Sequence, residues 1–170
     1  MTKSFFRLKK KLYFCSVKSM DQPALLDRAR RYCAFSEQCE DAVRQKLVTW
    51  GASPVQSDEI IAKLQNENYL DDERYARAYC ESKILHQHWG RQKVLYQLRL
   101  KHLPRPAVDS GMSAVSDEAY FAVLTTVAEK KLAELSNTTP NLRQKLTSFL
   151  LTRGFLINEI NQVLINILKP

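Results

Sequence analysis

The chain of 170 residues is 45% hydrophobic, which provides enough apolar surface for a folded core and excludes wholesale disorder. It contains four glycines and six prolines. Its β-branched residues are scattered rather than alternating, so the composition disfavours a sheet-rich fold. The formal net charge is +8, but the first 19 residues contribute six cations and no acid, which leaves +2 for the remainder.

Residues 1–20 form a basic and aromatic N-terminal extension. Their longest apolar stretch, Leu12 to Cys15, is too short for the hydrophobic region of a secretory signal. No segment of the sequence reads as a membrane span, and we expect no membrane association of the folded part. Two interpretations of the extension remain: an arm that contacts nucleic acid or a membrane surface, or a segment that precedes the true start at Met20.

Capping residues, prolines and glycines mark the helix boundaries. Predicted helix starts are Ser36-Glu37, Asp71-Asp72-Glu73, Ser116-Asp117-Glu118 and Thr139-Pro140. Gly51 and Gly154 stand where glycines end helices. The sequence therefore predicts helices at 22–34, 37–50, 54–66, 72–87, 90–102, 104–112, 117–135, 140–152 and 156–167.

An internal repeat organises these helices. The string Arg-Gln-Lys-Val-x-x-x-Leu at 91–98 matches Arg-Gln-Lys-Leu-x-x-x-Leu at 143–150, 52 residues later, and the Leu-x-x-x-Gly ending recurs at 47–51. The apolar pairs Val43/Leu47, Val94/Leu98 and Leu146/Leu150 each fall on one helix face. These patterns predict an all-α fold of three tandem three-helix repeats, at 21–69, 70–115 and 116–170, in an elongated, curved array. The alternative is an irregular helical bundle in which the similar strings arose by chance.

Outside the extension, positive charge is concentrated in the second repeat. Residues 20–73 carry 6 basic and 11 acidic side chains, residues 74–105 carry 8 and 1, and residues 106–170 carry 6 and 6. The basic stretch would suit an acidic protein surface or a DNA backbone, whereas the first repeat would avoid phosphate. In the alternative interpretation, these cations are a solvated helix face that keeps the protein in solution.

The sequence lacks the usual signs of an enzyme or a metal site. The cysteines Cys15, Cys33, Cys39 and Cys80 form no Cys-x-x-Cys pair, and the histidines His86, His88 and His102 lack zinc-ligand spacing. No Gly-rich phosphate loop, Gly-x-Ser-x-Gly elbow or His-Glu-x-x-His string occurs. Asp71 and Asp72 are interpreted as a helix cap rather than a metal-binding pair. We expect no catalysis, no metal and no cofactor, and reduced cysteines typical of a cytoplasmic protein.

The most informative stretch is Asn-Tyr-Leu-Asp-Asp-Glu-Arg-Tyr-Ala-Arg-Ala-Tyr at 68–79, followed by Trp-Gly-Arg-Gln-Lys-Val at 89–94. It resembles the RecX family of bacterial recombination regulators in its Leu-Asp-Asp-x-x-Tyr/Phe-Ala-x-x-Tyr signature, in the basic helix that follows and in its three three-helix units. The resemblance covers about residues 22–168. Its signature residues, interpreted as mostly structural, are Tyr69, Leu70, Asp71, Asp72, Tyr75, Ala76 and Tyr79. The family usually has glycine at the position of Asn68 and near that of His102, so the match is least secure at the turn containing His102.

The resemblance implies a protein that binds RecA, the bacterial strand-exchange ATPase, and dampens its filament on single-stranded DNA. It also implies binding along the filament groove, in contact with more than one subunit. The candidate partner- or DNA-binding residues are Arg74, Arg77, Lys83, Trp89, Arg91, Lys93, Arg99, Lys101 and Arg105. Arg91, Lys93 and Arg99 are preferred, because Arg91 and Arg99 lie about two turns apart on one helix and point roughly the same way. Trp89 is a candidate aromatic anchor beside them.

Two other functions stay open at this point. One is an autonomous single-strand DNA-binding module, and the other is a helical adaptor for a different protein. We expect a monomer whose own affinity for single-stranded DNA is weak and sensitive to salt.

Overall fold

The computed structural model describes residues 21–135 and 140–168, and every regular element in these ranges is helical. The helices are α1 (Gln22–Phe35), α2 (Glu40–Thr49), α3 (Pro54–Asn66), α4 (Asp72–Glu81, continued by a π-helical turn, Ser82–His86), α5 (Arg91–Leu100), α6 (Arg105–Ser113), α7 (Asp117–Glu134), α8 (Leu142–Thr152) and α9 (Ile157–Ile167). We define unit 1 as α1–α3, unit 2 as α4–α6 and unit 3 as α7–α9. The all-α prediction is confirmed, and the N-terminal extension lies outside the described residues.

Two predicted helix starts are wrong. The helix predicted to open at Ser36-Glu37 begins at Glu40 instead, because the acceptor for its first backbone N–H comes from another unit, as described below. The helix predicted from Thr139-Pro140 begins at Leu142, after Asn141 adopts a left-handed conformation with φ 57°. Both errors arise because a local capping signal was taken as sufficient to start a helix.

Each middle helix ends in the same left-handed turn. The turn residues are Gly51 at φ 87°, His102 at φ 54° and Gly154 at φ 90°. In each case the turn residue's N–H donates to the carbonyl three residues back, at 3.0, 3.0 and 2.9 Å. The following N–H donates to the carbonyl five residues back, at 3.0, 3.4 and 3.3 Å, which completes the Schellman motif. The helix-ending roles of Gly51 and Gly154 are confirmed, and His102 keeps the backbone conformation that glycine would supply.

Replacing His102 by glycine should stabilise the protein. A side chain in the left-handed region costs about 1–2 kcal/mol, whereas glycine adopts it freely. The His102 ring pairs with Asp41 at 3.5 Å, but the ring is exposed, so this pair offsets little. We expect His102→Gly to raise the Tm by about 2–4 °C for each kcal/mol gained, as measured by circular dichroism.

Asn68, which has a φ of 59°, provides the matched control for this prediction. Asparagine tolerates the left-handed region better than histidine does, so Asn68→Gly should give a smaller gain in Tm. A larger gain at Asn68 than at His102 would contradict this account of the turn.

The three units bury their apolar residues in two cores. Buried members of the first core, all from unit 1 and its exit, are Leu25, Ala29, Cys33, Val43, Leu47, Ile60, Ile61, Leu64 and Leu70. The second core runs through units 2 and 3, and its members with no exposed surface include Ala76, Cys80, Ile84, Val94, Leu98, Tyr120, Leu124, Leu146, Leu150 and Ile160. The three apolar pairs expected on the middle helices are fully buried, which confirms the predicted inward face of each of these helices. Most of unit 1 therefore packs around its own core, while units 2 and 3 share a larger one to which Cys39 of unit 1 also belongs.

Units 2 and 3 touch backbone to backbone. The Gly90 N–H donates to the Arg153 carbonyl at 2.8 Å, and the Gln92 N–H donates to the Gly154 carbonyl at 3.1 Å. A Cβ atom at Gly90 would lie 2.1 Å from the carbonyl carbon of Gly154. The nearest atoms are the Gly154 carbonyl and the Phe155 nitrogen, all of the backbone. No side-chain movement relieves that overlap, so the junction requires glycine at position 90.

Gly90→Ala should therefore destabilise the protein by about 3 kcal/mol or more, at the upper end of overpacking effects. The control is Gly51→Ala, which adds a methyl group at a left-handed turn outside this junction and should cost about 1–2 kcal/mol in backbone strain. Urea unfolding of both variants measures the difference. An equal or smaller cost at Gly90 would show that the two units do not depend on this contact.

None of the helices in the described residues combines the length and the apolar character needed to cross a membrane.

Candidate macromolecular interface

The two adjacent aspartates of the signature cap two different helices. The Asp71 carboxylate accepts from the Glu73 and Arg74 N–H groups, at 2.9 and 3.0 Å, at the start of its own helix α4. The Asp72 carboxylate accepts instead from the Glu40 N–H at 2.9 Å, at the start of α2 in unit 1. The pair thus connects unit 1 to unit 2.

Within the described residues, no group of three or more His, Cys, Asp or Glu side chains is placed to hold a metal ion.

Three further groups join units 1 and 2 at this junction: an arginine, a glutamate and a buried cysteine. The Arg74 guanidinium pairs with Glu37 at 2.7 Å and donates to the Asn68 carbonyl at 3.2 Å. Cys39, which precedes α2, is buried in the core of units 2 and 3, and burial raises the pKa of its thiol. The three described cysteines are free thiols. Unit 1 is thus attached to unit 2 by a shared cap, an ion pair and one buried thiol.

Asp72 should make stability depend on pH. Burial raises the pKa of its carboxyl group, so the folded protein holds a proton at pH values where the unfolded chain has released it. As the pH rises from about 3.9, the ordinary Asp pKa, through the raised pKa, Asp72 lowers the free energy of unfolding. Asp72→Asn removes this titration. The free energy of unfolding of the parent relative to Asp72→Asn should decline over that window and stay constant above it.

Urea unfolding at a series of pH values measures this difference. A difference that stays flat from pH 4 upwards would mean that Asp72 titrates normally in the folded protein.

One side of unit 2 is a row of lysines packed on aromatic rings. The Tyr75 and Tyr79 rings stack with centroids 5.8 Å apart, and the Lys101 Nζ lies 5.6 and 5.8 Å from them. The Lys83 Nζ, in the π-helical turn, lies 5.2 Å from the Tyr79 ring and 5.0 Å from the Trp89 ring. The Lys93 Nζ lies 4.2 Å from the same Trp89 ring. We name these six residues, Tyr75, Tyr79, Lys83, Trp89, Lys93 and Lys101, the lysine–aromatic face.

The charges of this face are not neutralised by the surrounding protein. Within residues 21–135 and 140–168, Lys83, Lys93 and Lys101 have no carboxylate within 4 Å, and Lys83 donates only to the Gln87 amide oxygen at 3.1 Å. A lysine on a ring gains about 0.5–1 kcal/mol at an exposed site and keeps its full charge. The face therefore carries three cations that are held by rings and have no carboxylate partner among the described residues.

The opposite side of α5 carries arginines. Positions 91, 95 and 99 are two residues out of phase with 93, 97 and 101, or about 200° around the helix. A cleft of about 460 Å³ there is lined by Leu95, Arg99, Leu103, Arg105, Val108 and Asp109, and we name it the arginine cleft. Arg105 pairs with Asp109 at 3.6 Å, while Arg99 pairs with no carboxylate of the described residues. The basic stretch of unit 2 is thus divided between two sides.

The remaining predicted binding arginines contact groups inside the protein. Arg74 holds the junction of units 1 and 2, and Arg77 pairs with Glu73 at 3.5 Å and donates to the Ser110 hydroxyl at 2.8 Å. These exposed pairs are weak, but they reduce the net charge available to a partner.

Arg91 has the most internal contacts of the preferred three. Its side chain is only 23% exposed, and its guanidinium pairs with Asp117 at 2.7 Å and donates to the Val115 carbonyl at 3.3 Å. The guanidinium also lies 4.1 Å from the Tyr120 ring centre, and the Tyr120 hydroxyl donates to Glu159 at 2.8 Å. Arg91 therefore joins unit 2 to unit 3, while Lys93 and Arg99 stay predicted partner-binding residues.

These features define a class: a repeat protein of three-helix units with a basic middle unit. Comparisons with known proteins agree. Residues 71–112 match the family model described as RecX, second three-helix domain, and residues 117–164 match RecX, third three-helix domain. The chain belongs to the RecX family.

Relatives extend the similarity beyond these two domains. The regulatory protein RecX of Cronobacter sakazakii is 32% identical over 150 residues, covering 82% of this chain and 89% of the relative. That of Prosthecochloris aestuarii is 30% identical over 144 residues, covering 85% and 93%. The crystal structure of RecX from Lactobacillus salivarius superposes with a TM-score of 0.76 at 21% identity, over 85% of this chain and 95% of that one, which shows the shared fold.

Proposed function

We propose that this chain is a cytoplasmic regulator that binds the RecA recombinase filament and inhibits its ATPase and strand-exchange activities in recombination and DNA repair. The observation that carries the proposal is membership of the RecX family, whose relatives are named regulatory proteins. The protein acts by binding rather than by catalysis, as a monomer and without a cofactor.

The tandem fold supports binding to a filament. In such arrays each unit contacts mainly its neighbours, so the surface extends along the chain and reaches more than one subunit of a partner polymer. Backbone hydrogen bonds between units 2 and 3 hold two of the three units in a fixed relation. Binding along the groove would then slow subunit turnover or block a second DNA.

The arginine cleft suits contact with the recombinase itself. Its lining combines the apolar side chains Leu95, Leu103 and Val108 with two arginines. Arginine beside apolar surface is typical of protein–protein interfaces, where it pairs with carboxylates through a planar group. Arg99 is the stronger candidate of the two arginines for pairing with a carboxylate of the recombinase, because no carboxylate of the described residues pairs with it.

The test is single-strand-DNA-stimulated ATP hydrolysis by RecA of the same organism, titrated with the parent chain and with Arg99→Glu/Arg105→Glu. The parent should inhibit, and the double variant should need about tenfold more protein for half inhibition, because two rim cations become anions. The matched control is Lys63→Glu/Lys145→Glu, with the same charge change at exposed positions on α3 and α8, which should inhibit like the parent.

Equal weakening in both double variants would mean that overall charge, not the cleft, drives binding. No inhibition of ATP hydrolysis or strand exchange by the folded parent would overturn the proposal and favour a helical adaptor for another protein.

A further inference from the structure

The cation–ring contacts of unit 2 have counterparts at equivalent positions of units 1 and 3. Ala29, Ala76 and Ala128 have no exposed surface in the first helix of each unit, and the last two are 52 residues apart, the spacing of the repeated strings. Three positions recur with each alanine. The first lies three residues after the alanine, the second directly precedes the left-handed turn residue, and the third lies four residues before the second. They hold Tyr32, Trp50 and Lys46 in unit 1, Tyr79, Lys101 and Gln97 in unit 2, and Lys131, Arg153 and Phe149 in unit 3. We name each set a trio.

Each trio brings a cation to an aromatic ring. In unit 1 the Tyr32 and Trp50 rings meet edge to face at 6.1 Å, with the Lys46 Nζ 5.9 Å from Tyr32. In unit 3 the Lys131 Nζ and the Arg153 guanidinium lie 5.1 and 5.0 Å from the Phe149 ring. The aromatic ring and the cation occupy different positions of the trio in different units, but each unit keeps a cation beside a ring.

The trios adjoin one another along the protein. Lys101 of unit 2 directly precedes His102, whose ring pairs with Asp41 of unit 1 at 3.5 Å. At the other end, Gly90, next to Trp89 of the lysine–aromatic face, donates its N–H to the carbonyl of Arg153. The trios therefore extend the lysine–aromatic face into both neighbouring units.

The acidic composition of unit 1 does not prevent this. Five of its carboxylates form ion pairs with arginines: Asp27 and Glu67 with Arg30, Glu40 and Asp58 with Arg44, and Glu37 with Arg74. Lys46, Lys101 and Arg153 have no carboxylate within 4 Å among the described residues. Lys131 differs, since it pairs with Glu134 at 2.8 Å. The prediction that unit 1 avoids phosphate, which rests on the charge total of that unit, stays a prediction.

We propose that the three trios together bind one strand of single-stranded nucleic acid across all three units. Aromatic rings stack unpaired bases without regard to sequence, and lysines and arginines beside them contact the phosphates. Arginine planes over rings also stack bases. Half-buried rings are reached by unstacked bases and not by a duplex, and a repeated trio suits a polymer that repeats one chemical unit. The proposal goes beyond the recombinase and does not require it.

The experiment measures fluorescence anisotropy of labelled oligothymidylates, without recombinase, at several salt concentrations. Affinity should rise with length until the strand spans the three units. Lys46→Glu and Arg153→Glu should each weaken binding by about fivefold or more and flatten the salt dependence by about 0.7 in log–log slope. The matched controls Lys63→Glu and Lys145→Glu, on the same units and outside the trios, should keep the parent's slope. Phe149→Leu should weaken binding at all salt concentrations alike, because it removes a stacking ring and no charge.

Tryptophan fluorescence tests unit 1 directly. The chain has two tryptophans, so Trp89→Phe leaves Trp50 as the sole reporter, and saturating oligothymidylate should quench it. Unchanged Trp50 emission, or equal affinity of Lys46→Glu and Lys63→Glu, would overturn the three-unit track.

If no oligothymidylate binds but Lys46→Glu and Arg153→Glu lose inhibition of RecA, the face docks protein and the nucleic-acid proposal is overturned alone. Strand binding without any inhibition of RecA would overturn the proposed function alone.

Discussion

Four residues connect each middle helix of this protein to the helix that follows it, and the left-handed turn makes the change of direction. The turn fixes a donor to the carbonyl three residues back and another to the carbonyl five residues back, so the helix ends at the same place in every unit. The residue before the turn, Trp50, Lys101 or Arg153, is thereby held on the surface beside the unit's first helix. The placement of these positions follows from a backbone constraint, while the side chain at each of them differs from unit to unit.

The two junctions between units are made by different physical means. Units 2 and 3 share a core and approach through glycine backbones, an arrangement that does not tolerate a methyl group. Units 1 and 2 meet through a shared cap, ion pairs and the single buried thiol of Cys39, and water competes for the polar contacts. The first junction is expected to be rigid and the second to yield more easily to pH and salt.

Much of the fold was predictable from local sequence signals, because the units are helical and the ends of helices are marked by capping and turn residues close in sequence. The Asp71 cap, the Gly51 and Gly154 turns and the buried pair Val94/Leu98 are set by nearby residues. The start of α2 was mispredicted because its cap is supplied by Asp72, 32 residues away, and a local signal at Ser36 competed with it.

The candidate interface was less predictable, for reasons that are also physical. Net charge of a segment does not say which cations are paired: Arg91 is engaged by Asp117, whereas Lys93 is not engaged by any described carboxylate. Nor does it separate the two sides of α5, although the helical period does. The ring of Tyr79, interpreted as mostly structural, also lies beside Lys101 and Lys83. Applying the repeat offset to surface positions would have predicted these contacts.

The cap shared by Asp72 and Glu40 has a consequence for how such a chain can change over time. Asp71 and Asp72 are adjacent and chemically identical. The Asp71 carboxylate caps its own helix α4, whereas the Asp72 carboxylate caps α2 of the preceding unit. A unit copied, removed or moved to another place would carry its inward cap with it but would lose the neighbour that its second carboxylate addresses. The Asp72 carboxylate therefore fits only a position that follows unit 1, and these repeats are not interchangeable.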